Sequence, residues 1–223
     1  ACSYTIATTA ALTMSKDCTP SYLKPYEDAI EEHGGTFEAT LWRSREGQSL
    51  RFTAFTNKID FTGTVIIDVG CGVGDFATFL SDTNIQYDSF HGIDAMETMI
   101  ETANQRQLQR CTFETADIMT KPELMQGADW CVFSGTLNAM SQQDAMAIIE
   151  QAFKVCSIGV AFNFLSNQSW RDPSSENLKP ASRFDTLEFL KFAFMLTPLV
   201  SFTQMYLQGH DATIIIRKHE LSQ

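Results

Sequence analysis

Val65-Ile-Ile-Asp-Val-Gly-Cys-Gly-Val-Gly-Asp75 is the stretch that decides how this chain folds. Val65, Ile66, Ile67 and Val69 are strand formers set around an acid, Asp68. Gly70, Gly72 and Gly74 follow at alternate positions. An apolar strand that runs into a glycine-rich turn and then a helix is the layout of a nucleotide-cofactor site. The glycines let backbone approach a ligand where a Cβ would block it. A helix opening near Gly74 points its free N–H groups at the same place.

Two cofactor classes fit this turn. Gly72-Val-Gly-Asp-Phe-Ala77 satisfies G-x-G-x-x-A, and Asp94 stands near the distance expected of a ribose-binding acid in a dinucleotide fold. Counted from Gly70, the same pattern puts Asp75 where the third glycine belongs. Asp68 lies inside the strand, where a buried carboxylate is costly without a task. These features resemble motif I of the class I, Rossmann-like methyltransferases that use S-adenosylmethionine (SAM).

Periodicity extends the pattern in both directions. Strands are expected at 64–69, 89–93, 111–115, 129–134 and 159–165, with helices at 75–82, 96–107 and from Ser141 onward. Ile148, Ile149 and Phe153 form the buried face of that last helix. Ser141 with Asp144, and Asp185 with Glu188, read as capping boxes. Residues 167–182 read as a polar loop or lid with Pro173 and Pro180. A helix at 185–196 leads to two β runs, 200–207 and 213–217, split by Gln208-Gly-His-Asp211. The whole is an α/β fold. Its sheet is doubly wound, seven-stranded and mainly parallel, closing on a C-terminal antiparallel hairpin behind an N-terminal helical extension. Helices are expected at 21–33 and 48–58. The domain reading is a flexible extension over 1–20, a helical lid over 21–60 and the Rossmann-like domain over 61–223. Met14 looks like a natural start, with the upstream residues a cloning remnant or an extension.

The resemblance covers about 22–218 and implies a set of site residues. Asp94, after strand two, would accept from both ribose hydroxyls; its local alternative is a helix N-cap. Ala95 and Met96 would follow along the adenine. Asp117 would take the adenine amino group and the Ile118 backbone a ring nitrogen; a loop turn is the alternative. Asp68 would act through backbone N–H groups or water near the cofactor amino group, and Gly70, Cys71, Gly72 and Gly74 would bring backbone against the cofactor. Ser134 and Gly135 would lie beside it, with Thr136 and Asn138 facing the reacting methyl. Tyr26, His33-Gly34, Trp42, Ser44, Gln48 and Arg51-Phe52 resemble the N-terminal pattern of a group of small, mostly bacterial methyltransferases. Gln48 and Arg51 share a helical face. Arg51 would offer its planar fork to the cofactor carboxylate, and Tyr26 and Trp42 would close over the cofactor. His210 is the candidate base, with Tyr206 nearby. No Asn/Asp-Pro-Pro-Tyr/Phe motif follows strand four.

Bulk properties narrow the partners. With 223 residues and 44% hydrophobic content the chain can bury a large core. A net charge of −11 argues against a general nucleic-acid binder and suits solubility or a cationic ligand. No apolar run reaches the roughly 20 residues that span a bilayer, and no metal site is expected. Six scattered cysteines form no C-x-x-C pair, which points to a reducing, cytoplasmic setting with Cys131 and Cys156 as core thiols. The expected activity is methyl transfer from SAM to a small-molecule acceptor, releasing S-adenosylhomocysteine (SAH). A SAM-binding regulatory or scaffold protein and an NAD-type oxidoreductase are the alternatives.

Overall fold

A computed structural model describes residues 19–170 and 179–219. Five strands run parallel: β1 (Val65–Val69), β2 (Ser89–Asp94), β3 (Cys111–Thr115), β4 (Trp130–Phe133) and β5 (Gly159–Leu165). β6 (Val200–Thr203) and β7 (Asp211–Arg217) complete a seven-stranded sheet in the order β3-β2-β1-β4-β5-β7-β6. β7 is antiparallel to both of its neighbours. The chain leaves β1 toward β2 on one side and returns to β4 on the other. A crevice therefore opens at the carboxyl ends of β1 and β4.

Alternation along each strand feeds two cores. Ile67, Val69, Cys131, Phe133, Val160 and Phe162 face one layer; Ile66, Trp130, Val132 and Ala161 face the other. α5 (Gln142–Val155) and α6 (Thr186–Leu196) cover the first, α2 (Arg45–Thr56) and α3 (Asp75–Asp82) the second. Helices on both faces are the reason the strands read as nearly continuous apolar runs. Phe76 sits amid Phe52, Phe55, Phe61 and Phe90, with ring centroids 5.0 to 6.1 Å away. Cys71, Cys111, Cys131 and Cys156 are free thiols.

Boundaries differ from the periodicity where caps decide them. α1 (Lys24–His33) starts three residues later than expected, with Pro25 in its first turn, where a missing N–H costs nothing. α2 begins before Gln48 because Ser44 Oγ accepts from Gly47 N at 3.0 Å. α4 (Glu97–Gln105) is slightly shorter than expected. Neither capping box is reciprocal. Ser141 Oγ accepts from Asp144 N, and the Asp144 carboxylate takes the Ser141 hydroxyl at 2.7 Å. Asp185 caps Leu187 and Glu188, but its own N–H goes to Gln142 and Glu188 pairs with Lys191. β6 stops at Thr203, short of the expected 207, and Leu207 and Gln208 turn at positive φ beyond it. Part of the 167–182 loop and nearly all of the 1–20 extension lie outside the described residues.

The N-terminal segment is clasped to the far end of the chain. Arg51 Nε and Nη2 donate to the two carboxylate oxygens of Asp211, at the start of β7, at 2.5 and 2.7 Å. Both residues are buried. The bidentate geometry compensates the desolvation of two charges.

Two stability changes follow. Phe76→Ala should lower unfolding free energy by about 3–5 kcal/mol, because the aromatic cluster cannot collapse into the space. Urea unfolding should show a lower midpoint at unchanged slope. Arg51→Lys keeps the charge but loses the fork, and should cost about 1.5–3 kcal/mol of stability. An unchanged midpoint in Arg51→Lys would show that the clasp contributes nothing.

Candidate active site

The turn after β1 is latched to the end of β2. Gly70 N and Cys71 N both donate to Ile93 O, at 2.7 and 3.1 Å. Gly70 has φ +72, and a Cβ there would collide with the Thr136 side chain. Gly72 has φ +54, and the space its Cβ would enter is open as far as Thr40 Cγ2, 3.6 Å away. Asp94 holds the turn from the other side. Its Oδ2 accepts from Gly72 N and its Oδ1 from Met96 N, each at 2.9 Å. Asp94 is not the helix N-cap, which is Met96 two residues on, and each of its oxygens keeps a second lone pair.

A cleft of about 390 Å³ opens over this turn. Asp68, Gly70, Cys71, Gly72, Asp94, Ala95, Met96, Asp117, Ile118, Ser134, Gly135, Thr136 and Asn138 line it from the sheet side. Tyr26, Trp42, Gln48, Arg51 and His210 line it too. Gly74 is the expected site residue that does not. It is the N-cap of α3 at φ +79, and its missing Cβ makes room for Phe113 and Ala103. Close packing explains this glycine. Among the described residues no helix is long and apolar enough to cross a membrane, and no cluster of His, Cys, Asp and Glu is placed to hold a metal ion.

Charge in the cleft is concentrated and buried. Asp68 is buried, and its Oδ1 has no hydrogen-bond partner. Burial pushes its carboxyl up to about 8, and the charges of Asp94 and Asp75 add to the rise. Burial also raises Asp94, opposed by the N–H groups of Met96, Gly72 and Ala95. The Tyr26 phenol is pushed up to about 12 by burial and by Asp94. Burial, Asp94 and Asp68 hold the Cys71 thiol well above its ordinary range, so it stays protonated. Asp117 Oδ1 accepts from Met119 N at 2.9 Å, and its Oδ2 accepts the Tyr22 hydroxyl at 2.7 Å.

The N-terminal segment supplies the opposite wall, with some side chains already committed. The Arg51 fork expected for a cofactor carboxylate is held by Asp211, a correction forced by the buried ion pair. The Arg51 guanidinium also lies 4.4 Å from the Trp42 ring centroid. Trp42 in turn packs where a Cβ of Gly135 would fall. Gln48 Nε2 donates to Asp75 Oδ2 at 3.0 Å, and Arg106 Nη2 to Asp75 Oδ1 at 2.7 Å. Asp75 therefore ties α2 and the end of α4 to the glycine turn.

The other end of the cleft is built by β4, β5 and β7. Asn163, fully buried on β5, accepts from Gly135 N at 3.0 Å and donates to Ser134 Oγ at 3.2 Å. Thr136 donates its hydroxyl to Val69 O at 2.6 Å, a bond that stabilises the turn. Asn138 Oδ1 accepts from Leu165 N at 3.0 Å. His210 Nδ1 is 2.9 Å from Arg183 Nη2. Arginine only donates, so Nδ1 is the acceptor and the imidazole proton sits on Nε2. The Nδ1 lone pair that a base would use is engaged. The Tyr206 hydroxyl pairs with Thr213 at 2.6 Å.

Tyr22, Asp75, Asn163 and Lys179 were not singled out by their local sequence. Tyr22 and Asn163 carry no motif. Asp75 closes motif I, but its partners on α2 and α4 are set by packing. Lys179 reaches the cleft only because the loop before α6 folds across the end of β5.

A family model described as a methyltransferase domain matches residues 60–185. No curated protein sequence matches the chain. Among solved structures it is similar to magnesium protoporphyrin IX methyltransferase (ChlM) from Synechocystis PCC 6803 with bound SAH. The TM-score there is 0.61 at 13% identity, over 88% of this chain and 94% of that one. It is similar to the DhpI–SAM–HEP complex, with TM-score 0.64 at 14% identity, over 87% and 95% of the two chains. A SAM-dependent methyltransferase from Archaeoglobus fulgidus gives TM-score 0.63 at 13% identity, over 78% and 95%. The matched segment spans more than half of the chain and contains β1 to β5, so the chain belongs to this methyltransferase-domain family, and its sheet is that of the class I SAM-dependent methyltransferases.

Proposed function

We propose that this enzyme transfers the methyl group of SAM to a small-molecule acceptor and releases SAH, using the cleft over the β1 turn. The observation that carries the reading is the unpartnered, buried Asp68 Oδ1 in the cleft wall. A lone buried carboxylate beside two others is costly, and a ligand with positive charge offsets that cost. SAM supplies a sulfonium-bound methyl, an electrophile that needs only a nucleophile in line with it. The residues at hand fit such a group. Asp68 balances the ammonium of its amino-acid head. The open, positive-φ backbone at Gly72 admits it without a Cβ in the way. Asp94, fixed by two backbone N–H groups, accepts the ribose diol with its remaining lone pairs. Met96 and Ile118 form the adenine slot, with Asp117 at its rim and Tyr22 holding Asp117 in place.

The chain's own task is to orient and to exclude water. Tyr26, Trp42 and Gln48 act as the lid wall of the 21–60 segment, fastened by the Arg51–Asp211 clasp. A cleft walled by the sheet on one side and the N-terminal segment on the other suits a small acceptor. Ser134, Gly135 and Asn138 sit where the acceptor meets the cofactor. Alignment of this kind contributes roughly 7–11 kcal/mol toward the barrier. The family match and the placement of β7 between β5 and β6 support this reading over the dinucleotide one.

Asp94→Asn tests the ribose role. It keeps the residue's shape and loses a charged acceptor. SAM affinity by calorimetric titration should fall about tenfold or more, as expected for a lost charge-assisted hydrogen bond. Unchanged affinity would remove Asp94 from the cofactor site.

Asp68 makes binding depend on pH. Its carboxyl is raised to about 8 in the free protein, and the cation-bound state requires it ionised. SAH affinity should therefore rise from about pH 6 to about pH 8 and flatten above that. The free protein should show the opposite trend in stability. A raised acid stabilises fully below its unfolded value, and that contribution is lost as pH rises toward about 8. Tm of the free protein should fall across this window, and Asp68→Asn should remove both slopes. A flat affinity profile in the unmodified protein would show that Asp68 does not face a cation.

A further inference from the structure

The cleft is electrically polarised along the sheet. Its lining carboxylates are Asp117 after β3, Asp94 at the end of β2, Asp68 on β1 and Asp75 at the start of α3. All four belong to the β3-β2-β1 half. On the β4-β5-β7 half, no described residue that lines the cleft is a carboxylate. Asp211 stands closest in the chain, but it is fully buried in the fork of Arg51.

Two donors, Asn138 and Lys179, stand on that second half. Asn138 is buried and its Oδ1 is used by Leu165 N, which turns its amide nitrogen into the side available to a ligand. The Nδ2 hydrogens are bonded to no other described residue. The Asn138 backbone oxygen accepts from Ser182 N at 3.0 Å, which brings the stretch from Lys179 to Ser182 against it. Lys179 in that stretch lines the cleft, with an exposed ammonium and no carboxylate bonded to it among the described residues. His210 is fastened to the same place, since its backbone oxygen accepts from Ser166 N, the neighbour of Leu165. Its Nδ1 accepts from Arg183, so this imidazole adds no acceptor there. Leu165 and Leu207 supply apolar wall between these groups.

An amide donor and a cation with no carboxylate beside them among the described lining residues complement an oxyanion. Resting on the methyl-transfer reading above, we infer that the acceptor is a small organic anion. Its carboxylate or phosphate group docks on Asn138 and Lys179, with its apolar part on Leu165 and Leu207. The division of charge keeps the two ligands apart. A cation is drawn to the β1–β3 half, and an anion is repelled from there and held at the β5 end.

The test uses the full chain with and without saturating SAH, and four probes of one chain length: hexanoate, hexyl phosphate, hexanamide and hexylamine. Calorimetric titration should show at least one of the two anions binding about tenfold tighter than hexanamide or hexylamine, as expected for charge-assisted bonds. Which anion wins distinguishes a carboxylate from a phosphate acceptor. Lys179→Gln, at an exposed position, should weaken the anions by about threefold to tenfold and leave hexanamide unchanged. Equal or tighter binding of hexanamide or hexylamine overturns the inference. So does the absence of any probe binding by a protein that binds SAH. Failure to bind SAH, with anion preference retained in its absence, would instead overturn the cofactor reading and leave the anion site standing.

Discussion

The clasp between Arg51 and Asp211 joins residues 160 positions apart in the chain. It fixes the N-terminal helices to the last strand of the sheet. The segment before β1 also holds to the core through Phe52, Phe55, Ile59 and Phe61. The pair also sets the guanidinium on the Trp42 ring, and Trp42 closes on the backbone of Gly135. One buried ion pair thus determines where the roof of the cleft lies relative to the floor. A pair of this kind adds little net stability, because desolvation consumes most of the attraction. Its value here is positional: a wrong register of α2 would strand Asp211 in an apolar interior.

The floor obeys a similar logic. Asp75 is met by Gln48 and Arg106, and Asp94 by the Gly72 and Met96 N–H groups. Each carboxylate near the turn is thereby compensated, except at Asp68 Oδ1. Stored electrostatic cost at that one atom is consistent with a site kept ready for a cation. At the opposite end, Asn163 and Asn138 spend their oxygens on the β4 loop and on β5, and Arg183 spends donors on His210 and Ser166. The two ends of one cleft are tuned to opposite charge by second-layer hydrogen bonds.

Much of the fold could be read from the chain alone, for a local reason. Strand alternation, the Gly70–Gly74 turn and the N-caps at Ser141 and Asp185 all depend on neighbours within a few residues. α3, β3 and β5 fall on the expected residues. Errors arose where a cap or turn was decided by something else, such as Ser44 capping α2 early or Leu207 and Gln208 turning beyond a shorter β6. The box at Asp185 fell short because Gln142 and Lys191, from outside the motif, took its N–H and the Glu188 carboxylate.

The sequence by itself determined the α/β sheet, the cofactor turn and the acids that follow β2 and β3. Those features are carried by residue type at fixed short spacing. Tertiary structure alone decided which polar groups remain available. Arg51 reads as a ligand for a carboxylate, yet its fork meets Asp211 from the far end of the chain. His210 reads as a base, yet Arg183 occupies its Nδ1 lone pair. Gly74 reads as cofactor backbone, yet it makes room for Phe113. A donor or acceptor has a fixed capacity, and the partner that fills it is chosen by distance in space, which no local spacing encodes.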